Sequence, residues 1–349
     1  LNIKEIARLS GVSSATVSRI INNVGYVKAE TRERVLKTMR SVGYAPSNIA
    51  RSLSKRETPF IGVIVPDITN PFFSELVKSI EKVADRNGFS ILFFDTDENA
   101  EKEHAVLRTI KEHWIRGLLM TPISWEDEVT ERELLSLEDS GIPVVLMDRN
   151  LHRNNFSVMM VNNFQGGYNA TKALLDLGHR KIAIVVGPWQ DGPGDGRIKG
   201  YLQALRDYGI EPRPEYQVGS DFQVEGSYAA CQLLMEQPDP PTAILSCGNT
   251  MTFGCLQYFR EHALRIGEDI GLIGFDDVSV NRLLEGALST VGCSLEKLGE
   301  EAFRLMAQRF REEQGHGLPP EMRILPAEVK LRGSERQKSI QSGCVKGGE

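Results

Sequence analysis

The sequence predicts an α/β protein: a short helical head, then a longer body of parallel sheet covered by helices. Three observations carry this. Residues 2–42 show only helical apolar spacing, broken by a tight turn at Ser10-Gly11, whereas from Phe60 onward near-continuous apolar runs alternate with amphipathic helices. The charge also changes sign between the two parts. Residues 1–58 carry eleven Lys or Arg against four Glu, a net +7, so the chain's overall −6 leaves −13 on the remainder. Finally, 349 residues exceed one ordinary domain of about 100–150 residues, so two or three units are expected.

Composition narrows the classes. Apolar content of 41% with 25% charged residues fits a globular chain and excludes disordered, collagen-like and membrane classes. The N-terminal LNIKEIARLSG lacks the apolar core of a secretory signal, so a cytoplasmic protein is expected, with no membrane contact. The five cysteines, at 231, 247, 255, 293 and 344, form an odd set without a CxxC pair and are expected to be reduced.

In the head, Ile3, Ile6 and Ala7 define a first helix, and Val17, Ile20 and Ile21 a second, which Ser13 is placed to cap while Gly11 supplies the positive φ of the turn. A third helix, about 29–42, should bury Val35, Leu36, Met39 and Val42. Three such helices make a helix-turn-helix, with 1–45 as the domain, and the basic charge suits a polyanion. The alternative is a helical hairpin packed on the body. In a helix-turn-helix the start of the second helix enters the major groove, which puts Ser14 and Ala15 nearest the base edges and Thr16 and Ser18 near phosphates. Arg19, one turn on, has the reach for bidentate recognition of guanine, so most discrimination should fall on it. Ser14 and Ala15 also read as ordinary helix-start residues. Residues 46–58 form a hinge helix and linker, in which Ile49, Ala50 and Leu53 share one side of a basic segment. An apolar side chain there can wedge into a minor groove, and Leu53 is the candidate.

The runs IKEIARLSGVSSATVSRIINN, KAETRERV and YAPSNIARSLS resemble, without gaps over residues 2–54, the DNA-binding head and hinge helix of the LacI/GalR transcription regulators. The resemblance implies a homodimer on pseudo-palindromic double-stranded operator DNA, with Leu53 of each subunit inserted at the central step and Ala50 facing the minor groove. Asn22, closing the second helix, and Asn48, in the hinge, join the DNA-binding set.

Strand-like runs in the body are 60–65, 90–95, 117–121, 143–148, 158–162, 181–186, 242–246 and 270–275, with helices near 72–87, 101–113, 128–140, 165–177, 196–208, 224–236, 250–262 and 294–313. Eight such units fit a TIM barrel or two doubly wound halves. The resemblance favours two doubly wound α/β subdomains similar to a periplasmic binding protein. An N-subdomain of about 59–162 plus 292–318 and a C-subdomain of about 163–291 plus 319–332 are expected, followed by a disordered tail at 333–349.

Parallel sheets bind ligands beyond the carboxyl ends of their strands. The resemblance places effector contacts there at Asn70, Phe72, Phe73, Asp148, Arg197, Phe222 and Asp276, with Asn249 from the CGNT run. Carboxylates that accept from hydroxyls, an Arg that donates and aromatic faces that stack on C–H surfaces make a small-polyol site. Asp276 and Arg197 are the central pair, against plain readings as a helix-capping Asp and a surface Arg. Trp189 reads equally as a cover over a ring or as a core anchor. Many family members have Asn-Asp where this chain has Gly248-Asn249, so the ligand is expected to differ from common hexoses. Purine-binding relatives use Arg and Thr where this chain has Asp191 and Pro193.

GPGDG at 192–196 lacks the Lys-Ser/Thr of a P-loop, the six His show no metal spacing, and no GxSxG elbow is present. No metal, cofactor or catalytic residue is expected beyond a small-molecule effector. The reading is a ligand-responsive repressor with a sugar or sugar-derivative effector. Its alternatives are a purine- or nucleoside-responsive, corepressor-dependent regulator of the same architecture, and a sugar-acting α/β enzyme.

Overall fold

The computed structural model describes residues 2–22, 25–44, 59–153, 155–187, 193–283, 288–310 and 319–338. It divides the chain into two compact units, Leu1–Thr58 and Pro59–Glu349.

In the first unit, α1 (Ile3–Ser10) starts at a capping box between Asn2 and Glu5 and stops at Gly11, whose φ of 65° only glycine adopts freely. The second helix, α2 (Ser14–Asn22), begins where the Thr16 N–H donates to Ser13 Oγ at 3.1 Å. With α3 (Ala29–Ser41) these helices enclose Ile6, Ala7, Val17, Ile20, Val35 and Met39. Leu36 is a correction: it is exposed. Val35 and Met39 are four residues apart on one helical face, and Leu36 lies about 100° round from Val35.

The second unit holds two open six-stranded sheets, which excludes the barrel. One contains β1 (Phe60–Val65), β2 (Ser90–Asp95), β3 (Leu118–Met120), β4 (Val144–Met147), β5 (Ser157–Val161) and β11 (Met322–Leu325), in the order β2-β1-β3-β4-β5-β11, all parallel. The other contains β6 (Ile182–Val186), β7 (Gln217–Gly219), β8 (Ala243–Ser246), β9 (Gly271–Phe275), β10 (Ser289–Gly292) and β12 (Glu328–Lys330), in the order β7-β6-β8-β9-β10-β12, with only β12 antiparallel. The inner strands are buried along their length, as expected for sheets covered on both faces. Helices α4 (Pro71–Arg86), α5 (Ala100–Ile110), α6 (Glu128–Asp139) and α11 (Leu295–Arg309) cover the first sheet, and α7 (Asn163–Asp176), α8 (Pro193–Asp207), α9 (Val224–Met235) and α10 (Asn249–Glu261) the second.

Four short strands, β7, β10, β11 and β12, were not expected. Their side chains are few and, in three of them, polar or half exposed, so they give no buried run to read. The strand β11 pairs with β5, Val158 opposite Met322, so the expected C-subdomain segment 319–332 is divided between the two subdomains. The chain therefore crosses between them three times: after β5, after β10 and after β11.

A second correction concerns residues 333–338. Ser334 and Glu335 are buried: Ser334 Oγ donates to the Leu272 carbonyl at 2.7 Å, and His179 Nε2 bonds the Glu335 carbonyl at 3.0 Å. The Glu335 carboxylate accepts from the Gly333 N–H at 2.8 Å and from the Ser289 hydroxyl. Polar side chains matched to backbone along β9 and β10 make this segment part of the fold, although its composition suggests solvent. Residues 339–349 lie outside the described set.

One close approach positions the site. A Cβ on Gly167 would fall 2.1 Å from the Arg197 carbonyl oxygen, and one on Gly200 would fall 2.1 Å from that of Phe164. The backbones of α7 and α8 therefore touch, which fixes Arg197 relative to the second sheet.

Candidate functional site

The carboxyl ends of both sheets face one cleft inside the second unit. From the first sheet, Asn70 caps α4, accepting from the Phe72 N–H at 3.0 Å, and the first turn presents Phe72 and Phe73 edge to face, 5.1 Å between ring centroids. Asp148 and Arg149 follow β4. From the second sheet come Arg197 on α8, Phe222 after β7, Asn249 at the start of α10 and Asp276 after β9. With Glu98, Gly248 and Thr250 these residues line the cleft. Asp148, Phe222 and Asp276 have φ of 62°, 61° and 70°. Non-glycine residues held in this region cost of order 1 kcal/mol or more each, and such strain gathers at ligand sites.

Burial sets the electrostatics. Arg197 is only 5% exposed, so it is not a surface arginine. Its Nε donates to Asn163 Oδ1 and its Nη1 to the Cys247 carbonyl, both at 2.8 Å, its guanidinium carbon lies 4.2 Å from the Phe275 ring centre, and Nη2 is 3.9 Å from Asp276 Oδ1. Desolvation pushes the Asp276 carboxyl up to about 6, against the opposing pull of Arg197 and with a further push from Asp148. Asp148 is also raised by burial, while Arg197 and Arg149 oppose the shift. Arg149 is held two-pronged by Glu98, at 2.8 and 3.2 Å, and its guanidinium lies 5.7 Å from the Phe222 ring.

Asn249 Nδ2 donates to Asn70 Oδ1 at 2.8 Å, joining the two walls. Because Asn70 Oδ1 already accepts from a backbone N–H, the amide of Asn249 must point its nitrogen there. Its oxygen is then the buried atom without a partner, as is Asp148 Oδ1. Two buried, unpaired acceptors on residues that line the cleft are what a ligand with hydroxyl donors would satisfy.

The structure thus brings together Asn70, Phe72, Phe73, Asp148, Arg197, Phe222, Asn249 and Asp276. Trp189 lies outside the described residues. Sequence reasoning missed Glu98, Arg149 and Thr250 as lining residues. Arg149 directly follows a chosen aspartate, so the rule of strand ends reaches it, whereas Glu98 lies three residues beyond the end of β2, in the TDEN turn.

In the first unit, Ser14, Ala15 and Arg19 are exposed at one side of α2, while Thr16 and Ser18 are half buried and Thr16 Oγ1 bonds Ser13 Oγ at 2.9 Å. Tyr26, not singled out from sequence, is 90% exposed just beyond α2. Asn22 closes α2, and Asn48, Ala50 and Leu53 lie outside the described residues. Among the described residues, no group of three or more His, Cys, Asp or Glu is placed to hold a metal ion, and no helix is long and apolar enough to cross a membrane.

Residues 2–47 match the family model of bacterial regulatory proteins, lacI family, and residues 171–335 match a periplasmic binding protein-like domain. The chain is 35% identical over 314 residues to the HTH-type transcriptional repressor PurR of Erwinia tasmaniensis, covering 89% of this chain and 91% of that protein. It is also 35% identical over 309 residues to the ribose operon repressor of Haemophilus influenzae, covering 88% and 92%. Among solved structures, the Lac repressor dimer bound to operator and an anti-inducer superposes with a TM-score of 0.84 at 22% identity, over 96% of this chain and 99% of that one. A LacI family regulator from Enterococcus faecium with bound ribose gives 0.69 at 25% identity, over 79% and 98%.

Proposed function

The chain belongs to the LacI family of bacterial transcriptional regulators, and we propose that it is a repressor whose operator affinity is set by a small carbohydrate bound in the cleft. The observation that carries the ligand class is the pairing of two buried, unpaired acceptors with three aromatic faces and the Arg197–Asp276 couple. Hydroxyls donate to the first, C–H faces stack on the second, and Arg197 donates to ring or hydroxyl oxygens. Relatives named for ribose support a pentose as the first candidate. The relatives named PurR keep a purine as the competing ligand.

DNA binding rests on the helix-turn-helix unit, with Ser14, Ala15 and Arg19 toward bases and Thr16, Ser18 and Asn22 toward the backbone. Hinge residues Asn48, Ala50 and Leu53 complete the contact. The partner is pseudo-palindromic double-stranded DNA and the working form is a homodimer in the cytoplasm. Support for the dimer comes from the free edge of the first sheet, where β2 leaves Phe93 37% exposed and Ile91, Leu92 and Phe94 half buried. A hydrophobic strand edge of this kind is normally covered.

Control follows from differential affinity. The segment between the head and the body is proposed to carry the coupling from cleft to operator. A ligand that joins Phe72, Phe73 and Asp148 to Arg197 and Asp276 favours one closure of the cleft, and linkage of about 1–3 kcal/mol passes to the operator. The sign proposed is induction. A thermal-shift screen of pentoses, hexoses, sugar phosphates, nucleosides and purine bases, followed by operator titration with each hit, tests the reading. A neutral sugar that raises the melting temperature and weakens operator binding supports it. Stabilisation by a purine base alone, or consumption of the sugar on incubation, overturns it.

A further inference from the structure

The cleft is not neutral. Three carboxylates, Glu98, Asp148 and Asp276, share it with two guanidiniums, Arg149 and Arg197. Most donors of both guanidiniums are already engaged by the protein, the Nη2 of Arg197, 3.9 Å from Asp276 Oδ1, being the exception. Arg149 reaches both oxygens of Glu98 and also the Pro122 and Ile123 carbonyls, each at 3.4 Å, and Arg197 holds Asn163 and the Cys247 carbonyl. Among the described residues lining the cleft, the buried side-chain atoms left without a hydrogen bond, Asp148 Oδ1 and Asn249 Oδ1, are acceptors, on residues 6% and 1% exposed. A ligand fits this arrangement by donating hydrogen bonds. A phosphate monoester brings an acceptor-only, doubly charged group into a site with one carboxylate in excess.

Glu98 is the source of that excess. It lies in the turn after β2, with φ of 48°, and its backbone N–H is tied to the Pro66 carbonyl at 2.7 Å, so the turn delivers the carboxylate onto Arg149. Without Glu98, Arg149 would face the cleft as a charged fork, which is the group best suited to a phosphate. We propose that Glu98 is a specificity-determining residue, which occupies Arg149 so that the cleft accepts neutral polyols and rejects their phosphate monoesters. The inference rests on the carbohydrate reading above.

The test is isothermal titration of the full chain with D-ribose and D-ribose 5-phosphate, and with D-glucose and D-glucose 6-phosphate as a pair that shares one ring form. Each is repeated on Glu98→Gln and Glu98→Gly, the second suited to the positive φ of the turn. The expected result is a preference of at least about tenfold for a neutral sugar over its monophosphate in the native protein, reduced at least about fivefold in both variants, since like-charge juxtaposition in a binding site is strongly unfavourable. Comparing the same ligand pair across proteins removes any difference in ring form. A monophosphate that binds the native protein as tightly as its parent sugar overturns the inference and leaves the carbohydrate reading standing. So does a preference unchanged in both variants, or loss of fold in both, which would make Glu98 structural. Binding of none of the four probes, with a purine base binding instead, overturns the carbohydrate reading and this inference with it.

Discussion

Replacing Gly167 by alanine separates the effect of helix propensity from the effect of packing on the cleft. Gly167 lies within α7, where alanine is favoured by about 1 kcal/mol when nothing else is touched. Here the new methyl would stand 2.1 Å from the Arg197 carbonyl oxygen and 3.0 Å from its Cα, against the 3.4 Å or more of ordinary contact. The helices must separate by more than 1 Å, and the obstacle is backbone, which cannot rotate away. Overpacking of this kind costs about 1–3 kcal/mol, and a backbone obstacle belongs at the upper end. Net destabilisation of about 1–2 kcal/mol should lower the melting temperature by roughly 2–8 °C for a body of this size. Because Arg197 rides on α8, its guanidinium shifts with the helix, and a displacement near 1 Å should weaken effector binding about 10- to 100-fold. Calorimetric melting and effector titration on the same sample read both numbers. A raised melting temperature with unchanged effector affinity would refute the argument, since propensity alone would then decide.

Three further outcomes are expected. Asp276→Asn should abolish the response to effector yet raise the melting temperature above pH 6. Its folded carboxyl is displaced upward to about 6 by burial, so the folded state binds more protons than the unfolded one between the unfolded value and 6, and stability falls as pH rises through that window. An unchanged melting temperature at pH 7–8 counts against this. In the native protein, effector affinity should decline as pH drops below about 6, where the carboxylate that accepts ligand hydroxyls is lost, and a flat titration from pH 7 to 5 would contradict the role assigned to it. Arg19→Ala should cost about 1–3 kcal/mol on the cognate operator and relax one position per half-site, whereas an equal loss on all sequences would make Arg19 a phosphate contact.

The parts of the fold visible in the sequence are those with continuous burial. Runs such as FIGVIV and KIAIVV have no other stable use than a sheet covered on both faces, and Ser13 with Gly11 marks the turn of the head by side-chain chemistry alone. The sheet edges were not visible. Met322–Leu325 alternates between exposed and half buried, and its place beside β5 depends on a partner 164 residues away, which no local pattern records. The same holds for Ser334 and Glu335, whose burial depends on backbone groups of β9 and β10. At the cleft, aspartates at strand ends were readable because topology dictates where such ends lie. Glu98 was not, because its role arises from a turn that brings it onto Arg149, 51 residues further along.

The threefold crossing of the chain has a consequence for its synthesis. The first sheet gains β11 and the second β12 and the segment through Glu335 only at the end of the described chain, so neither sheet is complete until those strands have left the ribosome. The head is made first and, as a compact unit with its own core, is ready long before. A ribosome that stops early therefore releases a head joined to two unfinished sheets with open apolar edges, a form marked for proteolysis or aggregation.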